Sequence, residues 1–156
     1  MVKSSVANLN YPETVSPGVD IIEIERIEQV LRRFSESFPS RILTEGELKQ
    51  YDVLPIGSRK RIYYLAKRWA AKEAFSKAVG TGIGSKFSFQ DLAIFSQRNQ
   101  KPMIVLTEQA KLSLQISHVD ISWSDEKNYV VAFCIIKKKI IKRGLKVKIY
   151  GYFSTN

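Results

Sequence analysis

Arg68-Trp69-Ala70-Ala71-Lys72-Glu73-Ala74-Phe75-Ser76-Lys77-Ala78-Val79-Gly80-Thr81-Gly82-Ile83-Gly84 is the stretch on which the fold turns. Its first half belongs to a long helix expected from Arg59 to Val79, with Ile62, Leu65, Ala66, Trp69, Phe75 and Val79 as buried residues and Gly80 as the stop. Glu73 and Lys77 are four apart and share a helix face. A carboxylate can hold a hard cation, ammonium groups can hold phosphate, and a glycine-rich turn lets a ligand approach backbone N–H groups. The pattern therefore fits a site for a phosphorylated metabolite with a divalent metal. Spacing alone favours a solvent-exposed Glu–Lys pair, worth only about 0.3 kcal/mol. Gly80, Gly82 and Gly84 are more than a helix stop requires. They form neither a Walker loop, since no Gly-Lys-Ser/Thr follows, nor the dinucleotide fingerprint, which opens a helix and does not follow one.

Upstream, Val15 to Ile24 is rich in β-branched residues and reads as a strand, with Pro17 early enough for an edge or strand start. Asp20 lies towards its end and is the second carboxylate suited to a metal. Ile24, Ile27, Val30, Leu31 and Phe34 then recur at helical spacing, giving about three turns that Pro39 is expected to end. Arg26, Arg32 and Arg33 make the outer face of that helix basic. Thr44 and Glu47 form a capping box opening a short helix to about Tyr51, and residues 55–58 are a turn.

Downstream, residues 87–95, 103–106, 119–123 and 129–136 are strand candidates, joined by hairpin-like connections at 99–102 and 124–128. Residues 107–117 form a short helix capped by Thr107, with Leu112, Leu114 and Ile116 at apolar spacing. The sum is an α+β domain: an antiparallel sheet with a long helix packed on it.

At 156 residues, 44% apolar and 26% charged, the composition is that of one globular domain. No apolar run approaches the roughly 20 residues of a membrane span, and the first residues lack the apolar centre of a signal peptide, so a cytoplasmic protein is expected. The single cysteine, Cys134, excludes an internal disulfide and sits in an apolar run as an inert core thiol. Residues 137–156 carry seven Lys/Arg and no acid, so most of the net charge of +10 belongs to the tail. Such a surface attracts nucleic acid, anionic lipid or an acidic protein. No RNA-recognition aromatic motif or zinc-knuckle spacing favours nucleic acid.

Gly18-Val19-Asp20-Ile21-Ile22-Glu23-Ile24-Glu25-Arg26-Ile27 resembles the first motif of the holo-[acyl-carrier-protein] synthases, the short 4′-phosphopantetheinyl transferases. Residues 68–84 resemble their second motif, 41–48 the segment between the two, and 87–92 the strand that follows. The likeness runs in order over residues 15–136, the expected transferase domain, with 1–14 and 137–156 as terminal extensions. It implies the 4′-phosphopantetheinyl transferase fold and transfer of phosphopantetheine from coenzyme A to a serine of apo acyl carrier protein, releasing 3′,5′-ADP, a step of fatty acid biosynthesis.

By the same resemblance, Asp20 and Glu73 bind Mg²⁺ with the coenzyme A diphosphate, and Lys77 contacts the attacked phosphate. Lys72 and the turn of Gly80, Thr81, Gly82, Ile83 and Gly84 line the coenzyme A pocket. Arg26, Arg32 and Arg33 dock the acidic carrier protein. Family members are trimers with sites at the subunit clefts. The family's third motif usually has histidine where this chain has Asp125, which could serve there as a hydrogen-bond acceptor; the only histidine, His118, is expected at a loop or strand start. Lys146 to Tyr150 alternate as an added edge strand would, although a disordered basic tail or one resting on anionic lipid fits as well. A basic nucleic-acid-binding protein and a carrier-binding module without catalysis are the alternative readings.

Overall fold

The computed structural model describes residues 13–35, 37–97 and 100–139. The chain begins with strand β1 (Glu13–Glu23), followed by helices α1 (Ile24–Arg33), α2 (Ser37–Ile42), α3 (Glu45–Asp52) and α4 (Arg59–Val79). A 3₁₀ turn (Phe89–Asp91) leads into β2 (Leu92–Phe95), then β3 (Met103–Leu106), α5 (Glu108–Leu114), β4 (Ile116–Asp125) and β5 (Tyr129–Lys139). The main sheet is antiparallel in the order β1-β5-β4, and β2 and β3 form a separate hairpin. The β1–β5 ladder runs from Glu13↔Lys139 to Glu23↔Tyr129, past the expected domain limits of 15 and 136.

The α4 helix is the centre of the molecule. It lies across β1 and β5 on one side and beneath α1, α2 and α3 on the other, so it is buried nearly all round instead of along one stripe. Small residues let it approach the sheet: Ala66, Ala70, Ala71, Ala74 and Ala78 are all buried. At the closest point a Cβ on Gly18 of β1 would overlap the Ala74 carbonyl oxygen and lie 2.6 Å from Ala78 N, so only glycine fits there. The inward residues of β5, Val130, Ala132, Cys134 and Ile136, alternate with the exposed Tyr129, Val131 and Phe133. Burial raises the Cys134 thiol to about 12, as expected of an inert core thiol. Among the described residues no helix is long and apolar enough to cross a membrane.

Both ends of α4 fall where its caps place them. Ser58 Oγ accepts from Arg61 N, and Gly80 adopts the left-handed conformation at φ 84°. The Thr44–Glu47 capping box is present, with Thr44 N donating to Glu47 Oε2 at 2.8 Å. Pro39 does not end α1; it lies in the first turn of α2, where a missing N–H costs no intrahelical bond. Residues 87–91 are not strand, because Ser88 and Asp91 form a box around the 3₁₀ turn and the ladder starts only at Leu92. In α5 the buried residue is Ala110, whereas Leu112 is exposed. His118 lies within β4, exposed, with Nε2 3.1 Å from Asp120 Oδ2. The alternation at 146–150 and the extension 1–12 lie outside the described residues.

Candidate active site

β1 presents Asp20 on the face turned to α4, and α4 presents Glu73 and Lys77 on the face turned to β1. Lys77 Nζ donates to Asp20 Oδ1 at 2.8 Å, joining residues 57 positions apart. Burial and then the neighbouring Asp20 charge raise the Glu73 pKa, while Lys77, a hydrogen bond from Ser76 and the charge of Arg26 pull it down. Two carboxylates and two cations, from β1, α1 and α4, thus converge on one spot. Ser76, fully buried, donates to Glu73 O at 2.8 Å and approaches Glu73 Oε2 at 3.4 Å, fixing the carboxylate's direction. Its role was not apparent in the sequence, although i,i+3 spacing places it beside Glu73.

The pair fits a hard divalent cation. Such an ion takes one or two protein carboxylates and fills its other positions with water and substrate phosphate, and a positive charge here would offset both the burial and the Asp20 repulsion that raise Glu73. No cluster of three or more His, Cys, Asp or Glu suited to a metal exists among the described residues.

The 80–84 turn follows directly. Gly80 N donates to Ser76 O and Lys77 O, and Gly84 N to Phe87 O at 2.7 Å. Gly82 has φ 66°, and Thr81 Oγ1 donates to Gly82 O. Ile83 packs partly against the core. Gly84 has ordinary φ and open space where a side chain would stand, so the fold gives no steric reason for glycine there.

Lys72, expected in the same pocket, is elsewhere. It is fully buried, and its ammonium donates to Glu47 Oε2 at 2.6 Å, Ile42 O at 2.7 Å and Phe89 O at 2.9 Å. Adjacent helix residues point about 100° apart, which sends Lys72 away from the Glu73 face. Burial lowers its pKa to about 8 against the opposing pull of Glu47. Glu47, read from sequence only as a cap, also accepts from Ile94 N at 2.9 Å and so joins α3, α4 and β2.

The three arginines of α1 are all exposed but divide between two flanks. Arg26 and Arg33 are seven apart and share one flank, from which the charge of Arg26 reaches Glu73. Arg32 lies on the other flank, 3.6 Å from Glu28, beside a groove of about 640 Å³ lined by Leu31, Tyr51, Ile56 and Arg61.

A second basic cleft of about 410 Å³ opens at the other end of α4, with Arg59, Lys60, Lys67 and Arg68 in its lining. The Arg68 guanidinium is buried 3.4 Å above the Tyr64 ring, with Nη2 3.2 Å from Ser96 Oγ, and its Nε has no partner. Asp125 accepts from Lys67 at 2.7 Å at the rim. The buried Arg68 guanidinium, stacked on Tyr64 with one donor unused, gives this cleft a fixed positive charge that its place in the sequence did not reveal.

A family model for the 4′-phosphopantetheinyl transferase superfamily matches residues 16–134, which contain all of Asp20, Glu73, Lys77 and the glycine turn. The chain belongs to that superfamily. Curated relatives narrow it to the holo-[acyl-carrier-protein] synthases and make it a phosphopantetheinyl transferase enzyme. That of Vibrio cholerae serotype O1 is 42% identical over 128 residues, spanning 80% of this chain and 98% of the relative. That of Ruthia magnifica is 44% identical over 123 residues, spanning 77% and 94%. The fold agrees. The crystal structure of the synthase from Neisseria meningitidis is 39% identical with a TM-score of 0.71, covering 79% of this chain and 98% of that one. The synthase from Bacillus anthracis, solved in complex with CoA (3′,5′-ADP), is 35% identical with a TM-score of 0.68, covering 82% and 100%.

Proposed function

We propose that this transferase moves 4′-phosphopantetheine from coenzyme A to a serine hydroxyl of apo acyl carrier protein, with a divalent cation such as Mg²⁺, as part of fatty acid biosynthesis in the cytoplasm. The observation that carries the reading is the convergence of Asp20, Glu73 and Lys77, because phosphoryl-type transfer needs charge neutralisation and positioning more than covalent chemistry from the protein. The serine oxygen forms a bond to the phosphorus bearing pantetheine, and the bond from that phosphorus to the bridging oxygen breaks. The bridging oxygen leaves with 3′,5′-ADP.

Asp20 and Glu73 would hold the cation, which when bound neutralises the diphosphate. Lys77 is shared between Asp20 and solvent in the free protein, and its half-exposed ammonium is free to turn to the attacked phosphate. Glu73, whose pKa is raised by burial and then by Asp20, is the group of this chain suited to accept the serine proton. The 80–84 turn offers open space at Gly84 for the pantetheine arm or diphosphate.

Coenzyme A carries a separate 3′-phosphate, and the Arg68 cleft supports a place for it. Arg68 and Glu73 point about 140° apart round α4, so one ligand does not span both within a single chain. A neighbouring copy would bring its own Arg68 cleft to the Asp20 site. The outer sheet face supports such assembly, in keeping with the homotrimer that the family resemblance implies: Val19 opposite Phe133 and Ile21 opposite Val131 form an exposed apolar patch. Arg26 and Arg33, beside the site, are suited to the acidic carrier, and Arg32 to a second contact.

Incubation with coenzyme A, magnesium and apo carrier protein tests the reading. It predicts release of 3′,5′-ADP and a modified serine; an unmodified carrier with every bacterial-type carrier tried would overturn it.

A further inference from the structure

The carbonyl end of α4 points toward the 80–84 turn. The last four carbonyls of a helix lack intrahelical donors, and together they carry roughly half a negative charge. Gly80 N serves Ser76 O and Lys77 O, but among the described residues no main-chain N–H reaches Ala78 O or Val79 O. The sheet supplies both donors. Ser16 Oγ of β1 donates to Ala78 O at 2.7 Å, and Lys138 Nζ of β5 donates to Val79 O at 2.8 Å.

Lys138 is placed for this by the ladder. It follows the buried Ile136 on the inner face of β5, opposite Thr14 of β1 and Ile116 of β4, and the contact is partly buried. It lies four residues beyond the stretch matched by the family model. An anionic ligand at the turn meets the negative pole of α4, an arrangement unfavourable for binding unless a cation stands at that pole.

We propose that Lys138 is a positioning residue for coenzyme A: its ammonium caps α4, cancels the helix's negative end and holds the turn open for a phosphorylated ligand. This rests on the turn being part of the coenzyme A site. Residues 137–139 are then the part of the β5 ladder that equips the site with a charge, distinct from the lysines nearer the tail.

The experiment measures coenzyme A and 3′,5′-ADP binding by calorimetry with magnesium, and steady-state kinetics, on full-length wild type, Lys138→Gln and Lys138→Arg. Lys138→Gln keeps a donor for Val79 O and removes the charge. It should weaken both ligands and raise the KM for coenzyme A about 3- to 10-fold, with kcat and the KM for carrier protein within about twofold. Lys138→Arg should restore wild-type values to within about twofold, and Ser16→Ala, which removes a cap without changing charge, should move ligand affinity less than Lys138→Gln. Unchanged ligand affinity in Lys138→Gln overturns the proposal, whatever happens to thermal stability. An equal loss in Lys138→Arg overturns it too, as does an equal loss in Ser16→Ala. A wild type that binds neither ligand overturns the coenzyme A reading itself and this proposal with it, an outcome distinct from a binding wild type with an indifferent variant.

Discussion

Lys77 Nζ and Asp20 Oδ1 meet at 2.8 Å across the β1–α4 interface, a contact possible because Gly18, two residues before Asp20, lets the strand lie directly on the helix. The geometry of the Asp20–Lys77 pair is therefore built by core packing. Gly18→Ala should displace β1 from α4 and separate Asp20 from Lys77, with a loss of at least about 2 kcal/mol in denaturant unfolding. A variant as stable and as active as wild type would contradict this.

Glu73 makes the free protein sensitive to pH. Its folded pKa stands above its unfolded value, so the folded state binds more protons in that window. The stability from this group is present below the ordinary carboxylate pKa and is lost as pH rises through the raised value. Glu73→Gln should therefore melt higher than wild type at pH 7 in chelator, with the gap closing on acidification. Magnesium should raise the wild-type Tm and leave the variant's unchanged. A wild type as stable as the variant at pH 7 would argue against a Glu73 pKa raised by burial and by Asp20.

Lys77→Met should lower kcat by about 10²- to 10³-fold, the scale of losing one donor to a developing charge. Its effect on the KM for carrier protein should be small. A kcat within threefold of wild type would remove Lys77 from the chemistry.

The two flanks of α1 separate the roles of its arginines. Arg26→Glu or Arg33→Glu should raise the KM for carrier protein by about 10-fold and flatten its salt dependence, with coenzyme A binding intact. Arg32→Glu, beside Glu28, should have the lesser effect. Equal effects from all three would mean that the carrier covers both flanks.

The buried Lys72–Glu47 pair predicts a structural loss. Lys72→Met leaves the Glu47 carboxylate buried without its cation, at about 3–5 kcal/mol by denaturant unfolding. A loss below about 1 kcal/mol would show that water reaches the pair.

Much of this was legible locally. Ser58 and Gly80 bracket α4, Thr44 and Glu47 announce α3, and the spacing of Glu73 and Lys77 sets both on one face. What was not legible depends on distant partners. Pro39 looked like a terminator because a proline's tolerance in a first turn depends on where the helix starts. Lys72 was expected in the coenzyme A pocket from the family resemblance, yet its partners Ile42, Glu47 and Phe89 lie 17 to 30 residues away and hold it elsewhere. Arg68 gains meaning only when Tyr64, Ser96 and Trp123 enclose it.

The most direct test of the Asp20–Glu73–Lys77 centre is the intact mass of an apo acyl carrier protein after incubation with coenzyme A and magnesium. Wild type should add one phosphopantetheine to the carrier serine, and chelator, Asp20→Asn or Glu73→Gln should each abolish the gain. Full modification by Glu73→Gln, or in chelator, would contradict the account.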